Sequence, residues 1–267
     1  MEIRTIKILH EAPLELMDHV KQFTDGDYCL PHLLDQEPKY LEYFLKAKSE
    51  GRYIMMDNSL HELGESYDKT RLLYWVNELK PNDFFIPDVW EDRVSSVVKA
   101  REWFSIKFPE GVDKIAIIQA NSFEDAAICL ETYKVIGYKK FAFSYGASYY
   151  NEIFPHPNID IGKALGRVQV ISKLYKFKIL HPNDYVHLLG ASIPREFFYY
   201  KGIDCVKSLD TSNPVMAALD GEGYYKHYGL DKKPKSNMNN SFYINKKDVN
   251  MEILNLNLEM FKKINNL

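Results

Sequence analysis

Residues 115–145, IAIIQANSFEDAAICLETYKVIGYKKFAFSY, decide the fold. Ile115 to Gln119 is an apolar run of strand length. Phe123 to Ile136 places its apolar residues at three- and four-residue spacing, the pattern of an amphipathic helix, and Phe141 to Tyr145 is apolar again. Strand, helix and strand in succession form a β/α unit, and repeated units of this kind imply a parallel sheet.

The same rhythm extends in both directions. Apolar runs stand at Ile3 to Ile8, Tyr28 to Leu34, Tyr53 to Met56, Phe84 to Pro87, Val186 to Leu189 and Cys205 to Leu209, and helix-like stretches at Pro38 to Ser49, Thr70 to Leu79 and Asp92 to Phe104. Continuous apolar strands fit a sheet covered on both faces. About eight units in roughly 210 residues favour an α/β fold of the closed (β/α)8, TIM-like barrel class over an open doubly wound sheet, which is the alternative. Residues 1–230 are expected to form this single catalytic barrel. Residues 231–267 are expected to form a basic, Asn/Lys-rich extension ending in a helix packed on or near it.

Composition bounds the function. The chain has 267 residues, 46% hydrophobic, 27% charged and 14% aromatic, which is globular and excludes collagen, coiled coil and global disorder. A formal charge of -3 gives no chain-wide attraction to nucleic acid, so a polyanion must meet a local patch. Cys29, Cys129 and Cys205 are far apart without a CxxC pair, so reduced buried thiols are expected, with no metal. Glu2, Arg4 and Lys7 interrupt the N-terminal apolar residues, and no run approaches the roughly 18 residues of a membrane helix. A cytoplasmic protein without a membrane partner is expected. Neither GxGxxG after an early strand nor GxxxxGK[ST] occurs, so no dinucleotide or P-loop cofactor is expected.

Barrel active sites are built at the C-terminal ends of the strands, and polar residues stand at four of these ends. They are Asp57-Asn58-Ser59, Asp88, Gln119 and Asp210-Thr211-Ser212. Any one such residue also suits a helix cap or an Asx turn. Three carboxylates meeting at one mouth would raise one another's pKa, an arrangement suited to acid/base or nucleophilic work.

The motifs MMDNS, IPDVW, IIQANSFEDA, SYGA at 144–147, HLLGASIP at 187–194 and GIDCVKSLDTSNP at 202–214 stand in an order that resembles the tRNA-guanine transglycosylases, over roughly residues 50 to 220. The length and the missing CxCxxC zinc module are more similar to the phage-type relatives that insert 7-deazaguanine bases into DNA. The resemblance implies Asp210 as the nucleophile that attacks C1′ of a guanosine nucleotide, and Asp57 as general acid/base. It implies that Asp88 accepts from N1–H and the exocyclic amine of the base. Gln119 and the backbone of Ser144, Tyr145 and Gly146 would address O6, and His61, Leu189 and Gly190 would lie against the base. Asn58-Ser59-Leu60 replaces the family's Ser-Gly-Gly turn, Ala120-Asn121 follows Gln119 in place of glycines, and Tyr145 takes one position of a glycine pair.

The implied partners are a 7-deazaguanine base and DNA, with tRNA as the alternative, and a helper protein to open a duplex. Base chemistry in duplex DNA requires the target nucleotide to be flipped out. Arg195, Lys207, Lys232 and Lys233 are the nucleic-acid candidates, within a second half that also carries Lys139, Lys140, Lys173, Lys176, Lys178 and Lys201; a solvated surface is the plainer account of such lysines. Phe197-Phe198-Tyr199-Tyr200 suits helix packing or base stacking. His181 and His187 read as structural residues flanking a strand, since no HxH or HExxH accompanies them. An N-glycosidic-bond hydrolase and a catalytically silent nucleic-acid-binding barrel are the rival classes.

Overall fold

The computed structural model describes residues 6–191, 193–225 and 231–265. Eight strands form one parallel sheet: β1 Lys7–His10, β2 Asp27–Cys29, β3 Ile54–Met56, β4 Asp83–Phe85, β5 Asp113–Ile117, β6 Lys140–Ser144, β7 Tyr185–Leu189 and β8 Val206–Thr211. Their order is β1-β8-β7-β6-β5-β4-β3-β2, and helices separate them in sequence. This is an α/β fold of the (β/α)8, TIM-like barrel class.

Compactness divides the chain into two units, Gly26–Phe143 and Met1–Asp25 with Ser144–Leu267. In the first, the helices are α2 Pro31–Gln36, α3 Pro38–Ser49, α4 Leu60–Leu63, α5 Lys69–Leu79, α6 Arg93–Ser105 and α7 Phe123–Ile136; α1, Met17–Val20, precedes them in the second. Side-chain caps start the long helices. Asp68, Asp92 and Ser122 accept from Arg71, Ser95 and Asp125 backbone N–H groups, which satisfies donors that a first helical turn leaves open. The core of this unit is aromatic and aliphatic, with Phe44, Ile54, Met55, Phe84, Phe85, Ile115 and Phe141 buried.

The second unit adds α8 Tyr149–Ile153, α9 Ile159–Lys176, α10 Asn213–Leu219, α11 Met238–Ser241 and α12 Met251–Asn265, with a 3-10 helix over Pro194–Tyr200. Here β8 lies between β1 and β7, in the register Leu9↔Asp210 and Leu188↔Leu209. The segment from Asp231 onward belongs to this unit, and its helix α12 packs on α10 and on the 3-10 helix. Leu254, Leu258 and Phe261 are buried there, and Asn257 accepts from Tyr224 N–H while donating to the carbonyls of Pro214 and Glu222.

All eight strands depart from the sequence reading at one end or both, and three of the departures have a clear structural meaning. The run at Tyr28 to Leu34 is a strand only to Cys29, because Pro31 has no N–H for a ladder and instead opens α2. The first strand begins at Lys7 and continues to His10; residues 3–5 of the expected run lie outside the described residues. Strand β8 continues through Asp210 to Thr211, so Asp210 is part of the ladder. The three cysteines are buried and free, and no described helix is long and apolar enough to cross a membrane.

Candidate functional site

In the unit Gly26–Phe143, Asp88 follows β4 with 1% of its surface exposed. Its Oδ1 accepts from Asn58 Nδ2 at 2.8 Å and its Oδ2 from Gln119 Nε2 at 2.6 Å. The backbone is held too: Asp88 N–H donates to Ser66 Oγ, and the Ser66 hydroxyl and Lys99 Nζ donate to Asp88 O. Burial pushes the carboxyl up to about 6, against the opposing pull of Gln119, Asn58 and Lys99. Each carboxylate oxygen keeps lone-pair capacity for a further donor.

Asn58 is fixed by donating also to Ile86 O and by accepting from Leu60 N–H in an Asx turn. Gln119 is fixed by accepting from Glu91 N–H at 2.8 Å. Both ends of the Gln119 amide thus have partners within the protein, and the side chain orients Asp88 in this structure. Asp57 lies one residue past β3 and is buried; Ser59 N–H donates to its Oδ2 at 3.2 Å. Ser59 takes φ +61°, and its hydroxyl lies 2.7 Å from His32 Nδ1. His61 falls in α4 and is exposed.

In the other unit, Asp210 is 3% exposed at the end of β8. Its Oδ1 lies 2.8 Å from His187 Nε2 and accepts from the Gly190 N–H at 3.0 Å. His187 lies inside β7 and is wholly buried, which corrects its reading as a strand-flanking residue. Period-two alternation carried the signal: Tyr185, His187 and Leu189 share one face of β7, and Ser208 and Asp210 share one face of β8. His181 does precede the strand and is exposed. Asp204, the acid of GIDCV, precedes β8 and its carboxylate accepts from the Tyr175 hydroxyl at 3.5 Å.

Sequence reasoning passed over the clamp on the turn after β7. Arg167 of α9, wholly buried, makes a double hydrogen bond to Glu196 at 2.7 and 2.9 Å and donates to Leu189 O and Gly190 O at 3.0 and 2.9 Å. Tyr200 donates its hydroxyl to Glu196 as well. Gly190 has φ +66°, and a Cβ there would fall 2.5 Å from the Tyr145 ring. The expected O6-binding backbone is engaged internally: Tyr145 N–H donates to Leu189 O, and Gly146 N–H to Ser144 Oγ.

The nucleic-acid candidates are scattered. Arg195 is paired with Asp231, Lys232 with Glu222 at 3.5 Å, and Lys233 with Asp160 at 3.9 Å while it also lies 5.6 Å from the Tyr145 ring. Lys207 is a half-buried residue within β8. Lys140 pairs with Asp83 and Asp113 at the starts of β4 and β5. Phe197 and Tyr200 are buried while Tyr199 is half exposed, so the aromatic run serves mostly to pack the 3-10 helix. Among the described residues no group of three or more His, Cys, Asp or Glu side chains is arranged to hold a metal ion. No protein-family model and no curated protein matches the chain.

Proposed function

We propose that this protein is a guanine transglycosylase, one that exchanges guanine in a polynucleotide, DNA in the first instance, for a 7-deazaguanine derivative such as 7-cyano-7-deazaguanine. The observation that carries the reading is Asp210. A carboxylate whose Oδ1 is held by the His187 ring and the Gly190 N–H, while Oδ2 takes no donor among the described residues, has one oxygen oriented for bond formation. The motif order and the Asp88 cradle support the same reading.

In this mechanism Asp210 Oδ2 attacks C1′ and the C1′–N9 bond breaks. Its electron pair leaves with guanine, which takes a proton from Asp57. The sugar is held as an ester of Asp210. N9 of the incoming base then attacks C1′, gives its proton to Asp57, and releases the Asp210 carboxylate. One difficult displacement becomes two easier ones, as in retaining glycosidases. Asp88 accepts from N1–H and the 2-amino group. A purine without those donors adds nothing to the bonds Asp88 already accepts from Asn58 and Gln119, and forgoes about 1.5–3 kcal/mol for each hydrogen bond to the charged group.

Incorporation of labelled guanine and of 7-cyano-7-deazaguanine into duplex DNA, single-stranded DNA and tRNA tests it. Label entering DNA, and lost in Asp210→Asn, is the expected result; label entering tRNA alone moves the protein to the tRNA branch. Release of free guanine without uptake assigns the hydrolase instead. Asp210→Asn abolishes the covalent adduct with base binding retained, whereas Asp88→Asn raises KM for the base first. Exchange that persists in Asp210→Asn removes the nucleophile assignment.

A further inference from the structure

Four side chains on β7 and β8 form one continuous hydrogen-bond chain. The Tyr185 hydroxyl donates to Ser208 Oγ at 2.8 Å, Ser208 Oγ lies 2.7 Å from His187 Nδ1, and His187 Nε2 lies 2.8 Å from Asp210 Oδ1. His187 and Ser208 are both wholly buried. Each link dictates the next. An ionised carboxylate has no proton to give, so Nε2 carries the proton shared with Oδ1. A neutral imidazole then accepts at Nδ1, so the Ser208 hydroxyl donates there. Having spent its only proton, Ser208 accepts from Tyr185.

We infer that His187 is a tautomer-locked positioning residue: the Asp210 carboxylate, with the Ser208 hydroxyl at the other ring nitrogen, holds it in the Nε2–H form, and His187 with the Gly190 N–H pins Asp210 Oδ1 so that Oδ2 is the oxygen presented for bond formation. The catalytic consequence rests on the reading of Asp210 as nucleophile, whereas the lock follows from the hydrogen bonds alone. His187 and Ser208 are positioning residues. In the other tautomer the Nε2 lone pair would point at the carboxylate, and repulsion would replace the bond. Among the described residues, Asp210 on β8 and Tyr185 on β7 are titratable groups in the same hydrogen-bond chain as His187. The Arg167–Glu196 pair, from α9 and the 3-10 helix, meets the same turn only through the Leu189 and Gly190 carbonyls and is internally neutral.

The tautomer is read without substrate, by two-bond 1H–15N correlation on the full chain labelled with 15N-histidine, the His187 signal being assigned by its loss in His187→Gln. The Nε2–H form is expected in the wild type at about pH 8, above the ordinary histidine range. It is expected also in Tyr185→Phe and in Ser208→Ala, in which Asp210 Oδ1 still takes the Nε2 proton, whereas Asp210→Ala, which removes that acceptor, admits the Nδ1–H form. Exchange by His187→Leu falls about tenfold or more at that pH, the size of one lost hydrogen bond to a charged group, with KM for the base little changed, and His187→Gln, which keeps a side-chain N–H donor, recovers part of the loss. A wild-type Nδ1–H form, or exchange unchanged in His187→Leu, overturns the lock; the wild-type spectrum decides alone if a variant does not fold. The expected spectra from a protein that shows no exchange uphold the lock and remove the transglycosylase reading.

Discussion

Gly190 meets two requirements that no other residue satisfies together. Its φ of +66° is a conformation L side chains rarely adopt, and its Cα faces the Tyr145 ring so closely that a Cβ would lie 2.5 Å from a ring carbon. Gly190→Ala is therefore expected to cost about 1–3 kcal/mol, from strain and displacement of the ring, and to move the N–H off Asp210. A urea titration measures the first effect, as a lower midpoint with an unchanged slope. An unaltered midpoint would mean that the turn relaxes freely. Ser59 bears a related strain at φ +61°, and its N–H to Asp57 and its hydroxyl beside His32 tie the turn down. Asp57, Asp88, Gln119 and Asp210 were legible in the sequence because a polar residue closing an apolar strand is a local signal. That Gln119 would spend both ends of its amide within the protein was not legible, since its partners Asp88 and Glu91 lie about thirty residues away, on another loop.

At the scale of elements, the ion pair Arg167–Glu196 joins α9 to the 3-10 helix and holds the turn after β7 by its carbonyls. Both side chains are wholly buried, so removing one partner strands the charge of the other. Arg167→Met is expected to lower stability by about 3–5 kcal/mol, while Arg167→Met with Glu196→Leu recovers much of the loss by removing both charges. The double variant still lacks the donors to Leu189 and Gly190, so it is expected to fold yet to exchange base slowly; denaturation and rate measured on the same preparation separate the two effects. A double variant no more stable than the single one would contradict this account. Neither residue was legible from spacing, because Arg167 and Glu196 meet only after α9, β7 and the turn between them are in place. The helices themselves were: Pro38–Ser49 and Phe123–Ile136 occur with the bounds that their periodicity gives. Strand ends were less legible because a short apolar run does not reveal where its ladder stops; the run at Tyr28 yields to a proline, and β8 runs on through an aspartate.

For the molecule as a whole, two buried groups set opposing pH responses. Burial lowers His10 to about 4; its Nδ1 lies 3.4 Å from the Thr211 carbonyl, and its Nε2 is buried beside Phe261 of α12 with no partner among the described residues. Between about pH 4 and 6.5 the unfolded chain binds the proton that folded His10 refuses, so this contribution is complete above 6.5 and is lost as pH falls. Asp88 acts the other way. Its folded value of about 6 lies above the ordinary 3.8, so the folded chain holds the extra proton in that window and stability falls as pH rises through it. Each contribution amounts to about 3 kcal/mol, so in the wild type the two largely cancel between pH 4 and 6. Removing either one should expose the other. His10→Phe, which also eliminates the unpaired nitrogen, is expected to gain stability relative to the wild type as both are acidified from pH 6 to pH 4. Asp88→Asn is expected to make it lose stability steeply over the same range. Urea midpoints across this range in the wild type and both variants test the pair together, and parallel profiles in all three would show that neither group titrates with its folded environment. The opposition also bears on the proposed activity: at neutral pH the fold sustains an ionised, desolvated Asp88 at a cost to stability, and two guanine donors would satisfy that charge on binding, so base affinity is expected to weaken below about pH 6.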